Sequence, residues 1–179
     1  MNTTRFLFAA TFTCLLLLAS CSRKKNTFLS RGVHAVVGEY NKLYNGENAL
    51  ESGREGIIST YRDNYWEILP IERFKEAPAG AGEAVSPDPN FEKAEEKAAK
   101  AIQKHAIFID GKEYNPQTDE AYMLLGKSRY YNQRFIQALD AFNFILTRYP
   151  TSNSINEAKV WKAKTNIRLR NEEGALRDL

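Results

Sequence analysis

Histidines, cysteines and adjacent glutamates are the residues of this sequence whose types could support catalysis or metal binding. His34 and His105 fall in separate helical patterns, so the close spacing expected of metal ligands is absent. Adjacent acidic residues such as Glu95 and Glu96 lie on a predicted helix, where neighbouring side chains diverge and cannot act as an acid and base couple. The sequence therefore predicts no catalytic residues, no metal site, no cofactor and no small-molecule substrate.

Residues 1–20 are typical of a secretory signal peptide. Arg5 supplies a short positive region, and residues 6–20 are apolar or small and carry no charge. This stretch is shorter than the ~20 apolar residues that a membrane span needs. The pattern therefore predicts export followed by cleavage.

Cys21 follows this segment and is the residue whose chemistry the sequence indicates most clearly. The resemblance of its surroundings to the bacterial lipobox implies that its thiol takes a diacylglyceryl group and that residues 21–30 form a lipidated tether. Because Cys14 leaves with the signal peptide, no disulfide forms within one mature chain. The residues that match the lipobox are Leu18, Ala19, Ser20 and Cys21.

The residues after Cys21 and the charge balance bear on location and partners. The second mature residue is Ser22 rather than aspartate, and residues 22–26 hold no acidic run. We therefore expect a lipid anchor in the outer membrane, with the protein facing the periplasm. The chain has 25 lysines and arginines against 22 aspartates and glutamates and forms no basic stripe, so we expect no nucleic-acid partner.

Apolar residues at helical spacing predict an all-α fold for the rest of the chain. We expect an N-terminal helical hairpin with an aromatic plug (residues 31–74), a flexible linker (75–88), and then a helix followed by further hairpins, the last one truncated (89–179). The linker is rich in proline, glycine and alanine and cannot bury enough apolar surface to fold.

Local signals predict where these elements begin and end. The Asn-Gly pair at 45–46 predicts a break within the first hairpin, and Asp88 predicts a helix N-cap. Residues 154–157 match a capping box. The Asp-Gly pair at 110–111 fits a small β-hairpin, but we favour a packed loop between helices.

The aromatic-rich segment at residues 63–71 separates the first hairpin from the linker. We expect Trp66, Ile68 and Leu69 to cover the end of that hairpin as a plug. The alternative is that this segment, with Trp66 at its centre, contacts a partner.

Two apolar helical patterns on either side of residues 132–134 form the most regular part of the chain. They resemble the tetratricopeptide repeat, a helix-turn-helix unit of about 34 residues, and depart from it at Arg129, where the repeat usually has a tyrosine. An ordinary αα-hairpin is the alternative. The matching residues are Tyr122, Leu125, Gly126, Phe135, Ala138, Phe142 and Pro150.

This resemblance implies a tetratricopeptide-like α-solenoid in which Gly126 and Ala138 meet at a tight helix crossing. A second hairpin aligns Ala163 with Gly126 and Ala175 with Ala138, and its pattern stops within its second helix. We therefore expect the chain to be the N-terminal part of a longer repeat protein.

Repeats of this kind bind other proteins. The expected binding surface is the groove formed by the first helices of successive hairpins. Arg129, Tyr130 and Lys162 are candidate contacts there, and solvent exposure or packing between repeats is the alternative for each.

Three segments, residues 21–31, 40–50 and 63–70, resemble the start of the tetratricopeptide lipoproteins of gliding motility and type IX secretion in Bacteroidetes. The resemblance implies a scaffold that links the ring of the secretion machine to the outer-membrane translocon. Two alternatives remain: a lipoprotein of outer-membrane protein assembly, and a surface glycan-binding lipoprotein of nutrient uptake, which needs an exposed aromatic platform.

Overall fold

The computed structural model describes residues 42–70, 72–73, 88–110 and 112–178. This part of the chain is helical apart from one small β-hairpin, so the all-α prediction is confirmed. The predictions for the signal peptide, Cys21, the tether and the linker up to residue 87 lie outside the described residues. In chain order the elements are α1 (Tyr44–Thr60), α2 (Pro89–His105), β1 (Phe108–Ile109), β2 (Lys112–Glu113), α3 (Thr118–Tyr131), α4 (Phe135–Arg148), α5 (Ile155–Arg168) and α6 (Glu172–Asp178).

The helices pack against one another in the order of the chain. Each helix contacts the next, and α1 also contacts α3, as α3 contacts α5. One hydrophobic cluster joins α1, α2 and α3 through residues such as Phe91 and Leu124. A second joins α3, α4 and α5 through Tyr130 and Phe142. The three odd-numbered helices are therefore consecutive neighbours, which decides where a shared surface can form.

The hairpin α5–α6 repeats the hairpin α3–α4 in register. Helices α3 and α5 each have 14 residues, and each is followed by a turn whose central residue has a positive φ, 59° at Gln133 and 60° at Arg170. In both turns the next residue donates its N–H to a carbonyl of the preceding helix, from Arg134 at 2.8 Å and from Asn171 at 2.9 Å. This is the hydrogen bond of a Schellman-type helix end. The helix starts agree with the alignment predicted from the sequence.

Three helix boundaries test the local signals. Asp88 is the N-cap of α2, because its Oδ1 accepts the N–H of Asn90 at 2.7 Å, which confirms that prediction. Helix α4 ends before Pro150, as expected. The capping box is wrong: Ser154 makes no side-chain cap, and the Ser152 hydroxyl accepts the Ser154 N–H at 2.9 Å instead. Ser154 has a ψ near 0° rather than the extended conformation that an N-cap side chain requires.

The predicted break at Asn45-Gly46 is also wrong, because both residues lie in the first turn of α1. A Cβ on Gly46 would lie 2.5 Å from Leu124 Cδ2 and 3.2 Å from Lys97 Cβ. Glycine therefore suits the close approach of α2 and α3 to α1, because a larger residue would have to displace the Leu124 side chain.

A β-hairpin follows α2, where a packed loop is the favoured prediction. Strands β1 and β2 pair antiparallel, with Phe108 opposite Glu113 and Ile109 opposite Lys112. Asp110 adopts a positive φ of 49°, which two-residue hairpin turns of this type require.

Gly126 lies at a tight helix crossing, but its nearest neighbour differs from the prediction. A Cβ there would lie 2.7 Å from Phe142 Cζ, and the nearest atoms all belong to the Phe142 ring rather than to Ala138. Gly53 on α1 has the same relation to Phe91 on α2, with a Cβ position 2.5 Å from Phe91 Cε1. Helices α1 and α2 therefore cross as α3 and α4 do, although residues 61–88 separate them in the chain.

Candidate functional site

Helices α1, α3 and α5 form one side of an open groove with a volume of about 620 Å³. The other side is the segment after α1, which we call the strap and define as residues 62–70 and 72–73. The residues that line the groove are Arg54, Ile57, Ile58, Asp63, Leu69, Pro70, Glu72, Arg73, Lys127, Tyr131, Glu157, Trp161 and Lys164.

Three cations, which we call the basic row, recur at the same position of the three odd-numbered helices. They are Arg54, Lys127 and Lys164, and each directly follows the small residue at its helix position, which is glycine in α1 and α3 and Ala163 in α5. Because successive residues of a helix are about 100° apart around its axis, the residue after the one at the crossing projects sideways, into the groove.

Each member of the basic row lies beside a carboxylate. Arg54 Nη1 is 2.6 Å from Glu51 Oε2, and Lys127 Nζ is 2.5 Å from Glu157 Oε1. Burial alone would raise the pKa of Glu157, but the hydrogen bond and charge of Lys127 outweigh it and lower that pKa below its usual value. The groove is therefore lined by paired charges, and its cations are positioned by their neighbours.

Aromatic rings lie beneath these cations. Lys164 Nζ is 3.9 Å from the centre of the Trp161 ring, and Lys127 Nζ is 5.6 Å from the same ring. Arg54 Cζ is 5.8 Å from the centre of the Tyr131 ring. All three distances are within the range of cation–π attraction, so the floor of the groove is both aromatic and cationic.

The strap places one carboxylate, that of Glu72, among the polar groups of α3 and α5. Its side chain is only 11% exposed and forms an ion pair with Lys164. Tyr130 donates its hydroxyl hydrogen to Glu72 Oε2, and Arg168 Nη2 is 3.6 Å from the same oxygen. Arg168 Nε also donates to the Tyr130 hydroxyl at 3.1 Å. Burial and the hydrogen bond to Glu72 together raise the pKa of Tyr130, so this phenol keeps its proton, and its role as donor to Glu72, to a higher pH than an ordinary tyrosine.

The rest of the strap has little contact with the helices. Arg73 closes it through a two-point ion pair with Asp63, with nitrogen–oxygen distances of 3.0 and 3.2 Å. Trp66 is 96% exposed and Ile68 is 100% exposed, so the plug predicted from these side chains is wrong. The strap lines the groove through Asp63 at its start and through Leu69, Pro70, Glu72 and Arg73 at its end. The aromatic side chains between these two parts are exposed to solvent.

The candidate contacts named from the sequence lie outside the groove lining. Arg129 is half-buried, and its Nε is 3.0 Å from Glu95 Oε1 on α2. Tyr130 is in the core, where it supports Glu72 rather than presenting a surface. Lys162 is half-buried on α5.

Sequence reasoning missed the residues that do line the groove. The basic row carried a usable signal, since a lysine or arginine directly follows each small residue at the crossing position. Glu72 carried none, because its partners on α3 and α5 are distant in the chain.

Six of the seven residues that resemble the tetratricopeptide signature occupy buried or partly buried positions, and the seventh, Pro150, is exposed. Leu125, Gly126, Ala138 and Phe142 are buried, and Tyr122 and Phe135 are partly buried against the same clusters. No protein-family model matches this sequence, and no curated protein matches it either.

The described residues contain no group of three or more histidine, cysteine, aspartate or glutamate side chains placed to hold a metal ion. None of their helices combines the length and apolar character that crossing a bilayer requires.

Proposed function

We propose that this chain is a protein-binding scaffold whose hairpins form a tetratricopeptide-like solenoid. The observation that carries the proposal is the groove along α1, α3 and α5, with the basic row at equivalent positions of its three helices. A row of similar side chains along an extended groove suits a partner that is itself extended, because each hairpin meets one part of it.

The proposed setting is the outer membrane, with the scaffold anchored through a lipid on Cys21 and facing the periplasm. There it would connect the ring of the type IX secretion machine to the outer-membrane translocon and support gliding motility. This setting rests on the resemblance of residues 21–31, 40–50 and 63–70 to the lipoproteins of that system.

Site-specific photo-crosslinking in cells tests the binding surface. A benzoylphenylalanine at Ile58, which lines the groove and is 46% exposed, should form adducts with specific partner proteins. The matched control is Val160, which is 47% exposed and outside the groove lining. Adducts of equal yield at both positions would contradict the groove as the binding surface.

Deletion of the gene tests the setting. Secretion of type IX cargo should stop, and gliding too in a gliding organism, while barrel assembly and glycan uptake stay normal. Normal cargo secretion with defective barrel assembly would instead favour the role in outer-membrane protein assembly.

Surface glycan binding is a second candidate function, and one observation favours it. Tyr65 and Trp66 are adjacent in the strap and are 79% and 96% exposed, and exposed aromatic faces are what a carbohydrate platform needs. Calorimetric titration with bacterial and host glycans decides this point: binding that disappears in Trp66→Ala supports the glycan role. Equal heats in the parent and the variant exclude that platform.

A further inference from the structure

The position of Glu72 indicates what the groove binds. A glutamate in a loop is ordinarily solvated, because burying a charge is costly unless it is paired. Here the carboxylate is taken into the groove and is met by an ammonium group, a guanidinium group and a phenol hydroxyl. These groups belong to α3 and α5, so the helices supply a site for an anion and the strap supplies the anion.

The site extends beyond that one carboxylate. Trp161 lies directly beneath Lys164, and Leu69 and Pro70 of the strap line the groove next to Glu72. An extended peptide with an acidic residue close to apolar residues would therefore meet the same surface. The rest of the strap adds little to its attachment, since Trp66 and Ile68 point into solvent.

We propose that the groove binds an extended acidic segment of a partner protein, whose carboxylate replaces that of Glu72 on Lys164 and Arg168. This proposal rests on the proposed function and names the kind of partner. The strap then acts as an internal competitor: it holds the site with one carboxylate and leaves when the partner segment binds.

Competition from within the chain has a measurable consequence. A tethered ligand is present at an effective concentration in the millimolar range, so it weakens the apparent affinity for any free peptide that uses the same site. A substitution that loosens the strap should therefore tighten binding of an acidic peptide, whereas loss of a partner-binding contact would weaken it.

The probe is a fluorescein-labelled peptide with the sequence of residues 63–73, titrated with the purified full chain and followed by fluorescence polarisation. We expect the Glu72→Gln chain to bind it at least ~10-fold more tightly than the parent chain. Placing the same Glu72→Gln change in the peptide should weaken its binding at least ~10-fold, whereas Glu67→Gln in the peptide, which changes an exposed carboxylate, should have little effect.

The acceptor side is tested with a matched pair on α5. In the Glu72→Gln chain, adding Lys164→Gln should abolish peptide binding, whereas adding Lys159→Gln, an exposed lysine of the same helix, should leave it unchanged. Thermal melting checks that each variant is folded. If Glu72→Gln does not fold, Asp63→Asn, which breaks the pair with Arg73 at the end of the strap, should tighten binding in the same direction.

A second readout follows the strap directly. With Trp66→Phe, Trp161 is the only tryptophan left, because the chain has two. Adding Glu72→Gln to this background should increase acrylamide quenching of Trp161 as the strap leaves.

Three results would overturn the proposal: equal peptide affinity of the parent and Glu72→Gln chains, equal affinity of the two peptides altered at Glu67 and Glu72, or equal effects of the Lys164 and Lys159 substitutions. These results leave the scaffold role intact if Ile58 still forms specific adducts in cells. If the crosslinker at Ile58 forms no specific adducts but the peptide affinities change as expected, the scaffold role is rejected and the anion-binding site is still supported.

Discussion

Substitution of Gly126 tests the close packing of α3 against α4. Substitution by alanine places a Cβ 2.7 Å from Phe142 Cζ and 2.9 Å from its Cδ1. The ring cannot move away easily, because it is fully buried and stacks on Trp161 with their centres 6.1 Å apart. We expect a steric cost of roughly 1–3 kcal/mol, the range for overpacked cores.

Alanine also favours the helix over glycine by about 0.8–1.0 kcal/mol, and this gain must be separated from the steric cost. Gly56 on α1 provides the control, since a Cβ there meets no atom within 4 Å. Gly56→Ala should therefore stabilise the protein by about 0.8–1.0 kcal/mol. The free energies of unfolding of Gly126→Ala and Gly56→Ala should then differ by roughly 1–3 kcal/mol.

Urea unfolding followed by circular dichroism measures both changes, and an unchanged denaturant dependence shows that the unfolding reactions are comparable. The double variant Gly126→Ala with Phe142→Leu should recover part of the cost, because the smaller side chain vacates the space. Equal stabilisation by Gly126→Ala and Gly56→Ala would refute the tight contact between Gly126 and Phe142. The same conclusion would follow if the effects of Gly126→Ala and Phe142→Leu on the free energy of unfolding were simply additive in the double variant.

Three further predictions concern packing, protonation and the anchor. Phe142→Ala should lower the free energy of unfolding by about 3–5 kcal/mol in urea, because it empties a fully buried site. The raised pKa of Tyr130 contributes stability that is complete below the ordinary tyrosine pKa of about 10 and is lost as the pH rises above it. The free energy of unfolding of Tyr130→Phe should therefore fall less than that of the parent between about pH 9 and pH 11. Cys21→Ser should release the protein from membranes, as measured by fractionation and by the absence of an acyl mass, and unchanged membrane retention would contradict the lipid anchor.

Helix existence and most helix ends could be predicted from the sequence, since they depend on local signals. The apolar face of α2 and its N-cap at Asp88 are examples, because spacing and capping act within one turn or a few turns. Gly46 shows where local reasoning fails. The same Asn-Gly pair that favours a turn in an isolated segment lies inside a helix here. Glycine at this position accommodates Leu124 of another helix, a contact that the local sequence does not reveal.

The candidate site could be predicted only in outline. The sequence predicts that α3 and α5, as the first helices of successive hairpins, contribute to the groove. It does not predict the part played by α1, because it assigns that segment to a separate N-terminal hairpin, whereas α1 crosses α2 at Gly53 and Phe91. The identity of the groove's polar contacts is not predicted either, since Glu72 meets Tyr130 and Lys164 across 58 and 92 positions of the chain. Loop residues have no periodicity from which such pairings can be deduced, and their positions depend on how the whole array packs.

The connection between α1 and α2 is what distinguishes this groove from that of a simple array. Residues 132–134 are enough to join α3 and α4, whose crossing at Gly126 and Phe142 matches the crossing of α1 and α2 at Gly53 and Phe91. The much longer connection at residues 61–88 is therefore not required by the geometry of the hairpin. Its described part turns back over the odd-numbered helices and places Glu72 against α5. The extra length thus lets the connection within one hairpin cover part of the proposed binding surface on another.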